Sequence, residues 1–253
     1  MLLEVNNLTV SFGGVRALDL KRFVLADREL RVVIGPNGAG KSTFMDILCG
    51  KTKPATGEIL FKGQSIRGKS EVEIAELGIG RKFQKPSVFP SLTVYENMLL
   101  AAKMKKDVWS SLFFKPAPGF VEKIRHMAHR VGLSAVLQRP AGSLSHGQKQ
   151  WLEIAIVTLQ SPTLLLIDEP AAGLSDRETE KTGELLLELA RDHAVIVIEH
   201  DMHFVRQIAR GLVSVLVGGK LLMEASFGEV KNDQRVIDCY LGRANSQLEK
   251  IIA

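Results

Sequence analysis

The chain is predicted to fold as an α/β protein: a mainly parallel sheet covered by helices, preceded by a β-rich part and interrupted by a mostly helical insertion. Three observations predict this. The first third alternates apolar and polar residues with the period of two that a half-buried strand requires. Residues 86–160 carry helical patterns and no convincing strand, broken by Lys115-Pro116-Ala117-Pro118-Gly119. From residue 161 onward, short apolar runs alternate with helical segments, the order expected of parallel strands joined by helices.

Element by element, Leu3 to Phe12 and Ala17 to Leu25 read as strands around the Gly13-Gly14 turn. Leu30 to Ile34 is a short strand running straight into glycines. Lys41 to Cys49 follows as a helix, with Phe44, Ile47 and Leu48 on one face and Gly50 as its stop. Glu58 to Lys62 alternates as a strand, and Ser70 with Glu73 forms a capping-box pattern ahead of Ile74, Ala75 and Leu77. Beyond the insertion come the strand Thr163–Ile167, the helix Asp176–Arg191, the strand Ala194–Ile198, the helix Met202–Arg210 and the strand Leu212–Val217. The last ten residues, 244–253, read as a poorly ordered tail.

At 253 residues the chain is long enough for a large core. A net charge of +5 is modest, and the cluster Lys103, Lys105 and Lys106 reads as a solvated face, so nucleic acid is not expected as a partner. Cys49 and Cys239 lack metal-like spacing and point to buried thiols in a reducing compartment. No apolar run reaches the roughly 18 residues of a membrane span, and no signal-peptide pattern opens the chain. Work at a membrane would therefore go through partners.

Gly35-Pro36-Asn37-Gly38-Ala39-Gly40-Lys41-Ser42 fits the phosphate-loop pattern, with Thr43 next and the required strand before and helix after it. Its backbone N–H groups can curl around a phosphate, Lys41 can reach the β and γ oxygens, and Ser42 can offer a hydroxyl to Mg²⁺. Asp168 and Glu169 end a continuously apolar strand, the edge where ligands of parallel sheets bind. Asp168 is expected to serve Mg²⁺, and Glu169 to polarise an attacking water. His200 ends the next apolar strand on the same edge and is expected to contact the γ-phosphate. Gln84 closes the β-rich part where the insertion begins, a position from which a polar side chain could sense Mg²⁺ or water. Leu144 to Gln148 forms a short loop before a helix, an anion-binding arrangement.

Together these residues resemble the ATP-binding cassette (ABC) ATPases, over nearly the whole chain from Leu2 to about Arg243. The resemblance implies a single phosphate-loop NTPase domain over residues 1–253. It would have a RecA-like core with an N-terminal antiparallel β subdomain (1–85 and 161–243) and a helical signature subdomain (86–160). It makes Gly35 to Thr43 the Walker A loop, Leu164 to Glu169 the Walker B strand, Gln84 the Q-loop residue, and His200 the switch histidine. Phe12 would stack on adenine. Leu144 to Gln148 matches the LSGGQ signature with His146 replacing the first glycine, and Ser175 stands where the D-loop commonly has Asp.

The resemblance further implies a head-to-tail dimer. Ser145, Gly147 and Gln148 would then contact ATP held by another subunit, closing the side of the triphosphate that a phosphate loop leaves open. His146 is expected merely to point outward, and Trp109 and Trp151 to be packing residues. Arg28, where relatives commonly carry Gly, implies a different turn type.

Within the family, strings such as Leu144–Glu153 and Glu199–Arg206 resemble the branched-chain amino-acid and urea importers, the urea ATPases most of all. The expected partners are a second, related ATPase, two membrane permeases and, indirectly, a solute-binding protein. The place of action would be the cytoplasmic side of the membrane. A non-transport assembly scaffold is the alternative from another class.

Overall fold

The computed structural model describes residues 1–82, 88–102 and 118–240. Gln84, Trp109 and the tail expected beyond residue 243 lie outside them. Ten strands form two sheets. The smaller is antiparallel, in the order β2-β1-β4-β5, from β1 (Leu3–Phe12), β2 (Val15–Leu25), β4 (Thr56–Phe61) and β5 (Gln64–Ser65). The larger has the order β10-β9-β3-β8-β7-β6. Its members are β3 (Leu30–Ile34), β6 (Ile79–Lys82), β7 (Leu164–Asp168), β8 (Ala194–Ile198), β9 (Leu212–Val217) and β10 (Lys220–Ser226). All its pairs are parallel except β9 with β10.

The described helices are α1 (Lys41–Leu48), α2 (Glu71–Leu77), α3 (Val94–Leu99), α4 (Pro118–Arg130), α5 (His146–Leu159), α6 (Asp176–Leu189), α7 (Met202–Ile208) and α8 (Phe227–Asn232). Ser70, Thr93, Ser145, Ser175 and Ser226 open α2, α3, α5, α6 and α8 with capping boxes. Each box satisfies backbone N–H groups that a helix start leaves without intrahelical partners.

The central strands alternate between two cores with the period of two that a pleated strand imposes. Val32, Leu165, Ile167, Val195 and Val197 join one core with Trp151, Leu152 and Leu186 of α5 and α6. Val33, Leu164, Leu166, Ala194 and Ile196 face the other, where Phe44, Met45 and Leu48 of α1 meet Leu3, Leu18 and Phe61 of the small sheet. Burial on both faces explains why β7 and β8 read as continuous apolar runs and β3 as one broken only by Arg31. It also fixes their carboxyl ends: Val33 pairs with Ile198, and Ile198 with Asp168.

The α/β expectation holds, with five differences. Strands β5, β6 and β10 were not anticipated; β5 is only two residues long. β6 is four residues long and half charged (Ile79-Gly80-Arg81-Lys82), so it lacks an apolar signal. β10 is a partly exposed edge strand. Arg28 does not force a new turn type: it adopts φ 54°, the left-handed conformation that glycine takes without cost. Cys49 is buried, but Cys239 is only half-buried.

Candidate functional site

β3 delivers the chain to Gly35, whose backbone lies so close to β9 that a Cβ would stand 2.1 Å from the Leu216 carbonyl oxygen. Only glycine fits there. Gly40 caps α1 at φ 96°, another left-handed position. The loop is cross-braced by Ala39 N–H to Pro36 O (3.1 Å) and Gly219 N–H to Ala39 O (3.1 Å). Lys41 is buried, and its Nζ donates to the carbonyls of Gly35 (2.6 Å) and Pro36 (3.1 Å). Its ammonium therefore lies across the loop, poised to exchange neutral carbonyls for phosphate oxygens.

A cleft of about 270 Å³ is lined by Ala17, Asn37, Gly38, Ala39, Gly40, Lys41, Ser42, Thr43 and Glu169. The loop residues and one strand-end carboxylate thus share one space. Phe12 is exposed at the end of β1, on the hairpin whose second strand supplies Ala17. Glu169 has φ 45°, strained for a non-glycine residue, and its N–H is anchored on Ile198 O at 3.0 Å. His200 Nδ1 lies 3.4 Å from Glu169 Oε1.

Asp168 is buried. Burial pushes its carboxyl above the ordinary carboxylate range; Arg81 opposes that shift, and the adjacent Glu169 adds to it. Arg81 sits 3.6 Å from Asp168 and 2.5 Å from Asp46 of α1, joining the strand that carries Asp168 to the helix behind the loop. Lys82 pairs with Glu153 of α5 at 3.8 Å; burial lowers its pKa, and the Glu153 charge resists. Ser42 and Asp168 offer the hard oxygens that Mg²⁺ selects, and a cation would offset the buried Asp168–Glu169 charge. Groups of three or more His, Cys, Asp or Glu side chains suited to a metal are absent among the described residues, so such an ion would take its other ligands from phosphate and water.

Sequence reasoning gave no role to Glu199, Arg81 or Lys82. Glu199 is almost fully buried. It accepts from the N–H groups of Ala171 (3.1 Å), His200 (3.0 Å) and Asp201 (3.4 Å), bracing the turns after β7 and β8. Burial raises its pKa against those three donors. A carboxylate directly after the buried run Ala194–Ile198 was the available signal. Arg81 and Lys82 gave none, because charge in so short a strand reads as a surface.

Ser145, Gly147 and Gln148 lie elsewhere; none of them lines the loop cleft. Ser145 caps α5, exchanging hydrogen bonds with Gln148 (3.1 and 3.2 Å), and its hydroxyl reaches Glu178 Oε1 at 3.3 Å. Gly147 lets the Glu178 carboxylate lie close against α5: a Cβ would meet its Oε1 at 2.4 Å and displace it. His146 does not merely point outward, as expected, because its Nε2 is 3.1 Å from the carbonyl of Ala172. Ser175, in place of the commoner Asp, caps α6 together with Glu178.

Comparison with known proteins adds the family. The family model described as "ABC transporter" matches residues 19–172. The chain is 36% identical over 252 residues to the high-affinity branched-chain amino acid transport ATP-binding protein LivG of Salmonella typhimurium, covering 96% of this chain and 98% of that one. It is 35% identical to the corresponding protein BraF of Pseudomonas aeruginosa, with 96% and 98% covered. Among solved structures it resembles the ADP conformation of an ATP-binding cassette of an ABC transporter, with a TM-score of 0.83, 29% identity, and 95% and 98% of the two chains covered. The two sequence relatives carry branched-chain amino acids in their names, the solute ranked behind urea in the sequence analysis.

Proposed function

Because the chain belongs to the ABC transporter family, we propose that it energises uptake of branched-chain amino acids or a chemically related small solute, docked on membrane permeases at the cytoplasmic face. Its enzymatic class follows from the family: it is an ATPase whose hydrolysis is coupled to transport. Among the described residues no helix is long and apolar enough to cross a membrane, which is compatible with docking through partner subunits. The reading is carried by the cleft in which Lys41 and Glu169 face the same space.

In that cleft the N–H groups of Asn37 to Gly40 and the start of α1 surround the β-phosphate, with Gly35 and Pro36 shaping the loop and Thr43 beside it. Lys41 binds the β and γ oxygens, and Phe12 stacks on adenine. Glu169 accepts a proton from water as the water oxygen attacks the γ-phosphorus, the bond to ADP breaks, and phosphate leaves. His200, beside Glu169, binds the γ-phosphate. Ser42, Asp168 and Gln84 would hold Mg²⁺, which neutralises charge on the β and γ oxygens. Ser145, Gly147 and Gln148 serve the ATP of a second, related subunit.

Urea is the second reading, carried by Leu144–Glu153 with His146 at the signature position. Uptake of labelled leucine and labelled urea in cells deleted for this chain decides between them. Loss of leucine uptake alone supports the first, and loss of urea uptake alone selects the second. Unchanged uptake of both would remove both of these solutes and leave only a related one.

A further inference from the structure

We propose that His146 is a positioning residue: by binding the Ala172 carbonyl, it fixes the loop that serves another subunit's ATP to the strand end that hydrolyses this subunit's own. This rests on the head-to-tail reading above. The path is short. Ala172 N–H donates to the Glu169 carbonyl at 3.3 Å, and His146 Nε2 lies 3.1 Å from the Ala172 carbonyl. Two hydrogen bonds therefore separate the backbone of the catalytic carboxylate from the first residue of α5.

Since a carbonyl only accepts, Nε2 carries the proton in this contact. The Gln150 amide reaches the same nitrogen at 3.4 Å, and its buried oxygen otherwise has no partner. Turning that oxygen toward Nε2–H satisfies it and locks the ring between two acceptors. Gly173, at φ 72°, lies beside the imidazole: a Cβ there would be in ordinary contact with Nε2, at 3.4 Å, so the left-handed backbone rather than crowding calls for glycine.

Further ties run the same way. Glu178 Oε1 accepts from the Ser145 hydroxyl at 3.3 Å, while its Oε2 accepts from the Ser175 N–H at 3.1 Å and hydroxyl at 2.8 Å. One carboxylate thus spans the starts of α5 and α6. A glycine at 146 would keep the Glu178 tie and lose the direct grip on Ala172.

The test uses His146→Gly, His146→Ala and His146→Gln in the assembled transporter, purified through this chain, with ATPase rate followed against ATP concentration. ATP affinity is measured in parallel on the isolated full-length chain. Losing one hydrogen bond of ordinary strength is expected to lower kcat about fivefold in the Gly and Ala variants, with a reduced Hill coefficient. The isolated chain's ATP affinity should not move. His146→Gln places an amide donor where Nε2 was and should recover most of the loss. Wild-type behaviour of the Gly variant, a Gln variant as impaired as Gly, or a parallel fall in the isolated chain's affinity would each overturn the proposal. A wild-type assembly without ATP turnover would sink the transporter reading itself, before any variant is compared.

Discussion

The phosphate loop and the signature loop each run into a helix N-terminus, but the chain holds them differently. Around Gly35–Ser42 the holding is done mainly by backbone: buried parallel strands, left-handed glycines, and main-chain bonds to Gly219 and Pro36, with the Lys41 ammonium as the side-chain brace across the loop. Around Ser145–Gln148 it is done by side chains, namely the capping box, Glu178 and His146. Backbone placement in a two-sided core leaves little freedom, which suits a site that must be ready before nucleotide arrives. Side-chain ties of about 1 kcal/mol each can be made and broken, which suits a loop proposed to serve the ATP of another subunit.

The sharpest way to break this contrast is at the phosphate side. Glu169→Gln removes the proton acceptor while keeping the size of the side chain, so turnover should fall about a thousandfold. ATP affinity should stay within about threefold, because the lost carboxylate is not a phosphate ligand. A single-turnover assay with labelled ATP reads both, and hydrolysis at the wild-type rate would remove Glu169 from its role. Lys41→Ala comes next. It deletes two or more charge-assisted bonds to phosphate, so ATP affinity should drop about a hundredfold in equilibrium binding. If the affinity held, the loop backbone alone would be carrying the anion.

The two regions were unequally legible in the sequence. Gly35–Ser42 and Leu164–Glu169 could be read because backbone-built sites demand particular residues: glycines where a Cβ has no room, and unbroken apolar runs where both faces are buried. The ties around the signature could not be read, because they depend on which helices become neighbours. Nothing in Ser175-Asp176-Arg177-Glu178 says that Glu178 will meet Ser145, thirty-three positions away. His146 was misjudged for the same reason, its partner being a backbone carbonyl with no side-chain signal. Lys82 and Glu153 show the converse, two charges that read as surface and are buried against each other.

Acidity offers a reading of both regions in one titration. Burial raises the pKa of Asp168 and Glu199 at the phosphate side, whereas hydrogen bonds from Ser175 lower that of Glu178 at the signature side. For the raised pair, the folded state holds protons that the unfolded chain has released. Their contribution to stability is complete below the ordinary carboxylate pKa and is lost as pH rises through the folded value. For Glu178 the order reverses: its contribution is present above the ordinary value and lost as pH falls through the lowered one. Carbon-13 shifts of the carboxyl groups should show Asp168 and Glu199 titrating above, and Glu178 below, the ordinary value for each residue type. Asp168 and Glu199 titrating below their ordinary values would contradict the burial described for β7 and β8.

The smallest expected effect tests the seam along which α5 leans on α6. Trp151 is buried, and its Nε1–H donates to Thr182 Oγ1 at 2.9 Å, while that hydroxyl donates to the Glu178 carbonyl at 2.8 Å. Lys181 lies over the indole, 5.6 Å from its centre. Trp151→Phe keeps most of the apolar contact and removes the N–H, costing about 1 kcal/mol for the hydrogen bond and somewhat more for the lost ring volume. In a chain of this size that is a fall of about 2–4 °C in thermal midpoint. Because Trp151 lies along the helix from Ser145, ATP affinity of the isolated chain should be untouched. Calorimetry and nucleotide binding on the same sample separate the outcomes. A midpoint loss with unchanged binding places Trp151 in the seam, whereas a binding loss would mean that the signature helix and the phosphate loop are coupled within one subunit, erasing the division between backbone-held and side-chain-held regions.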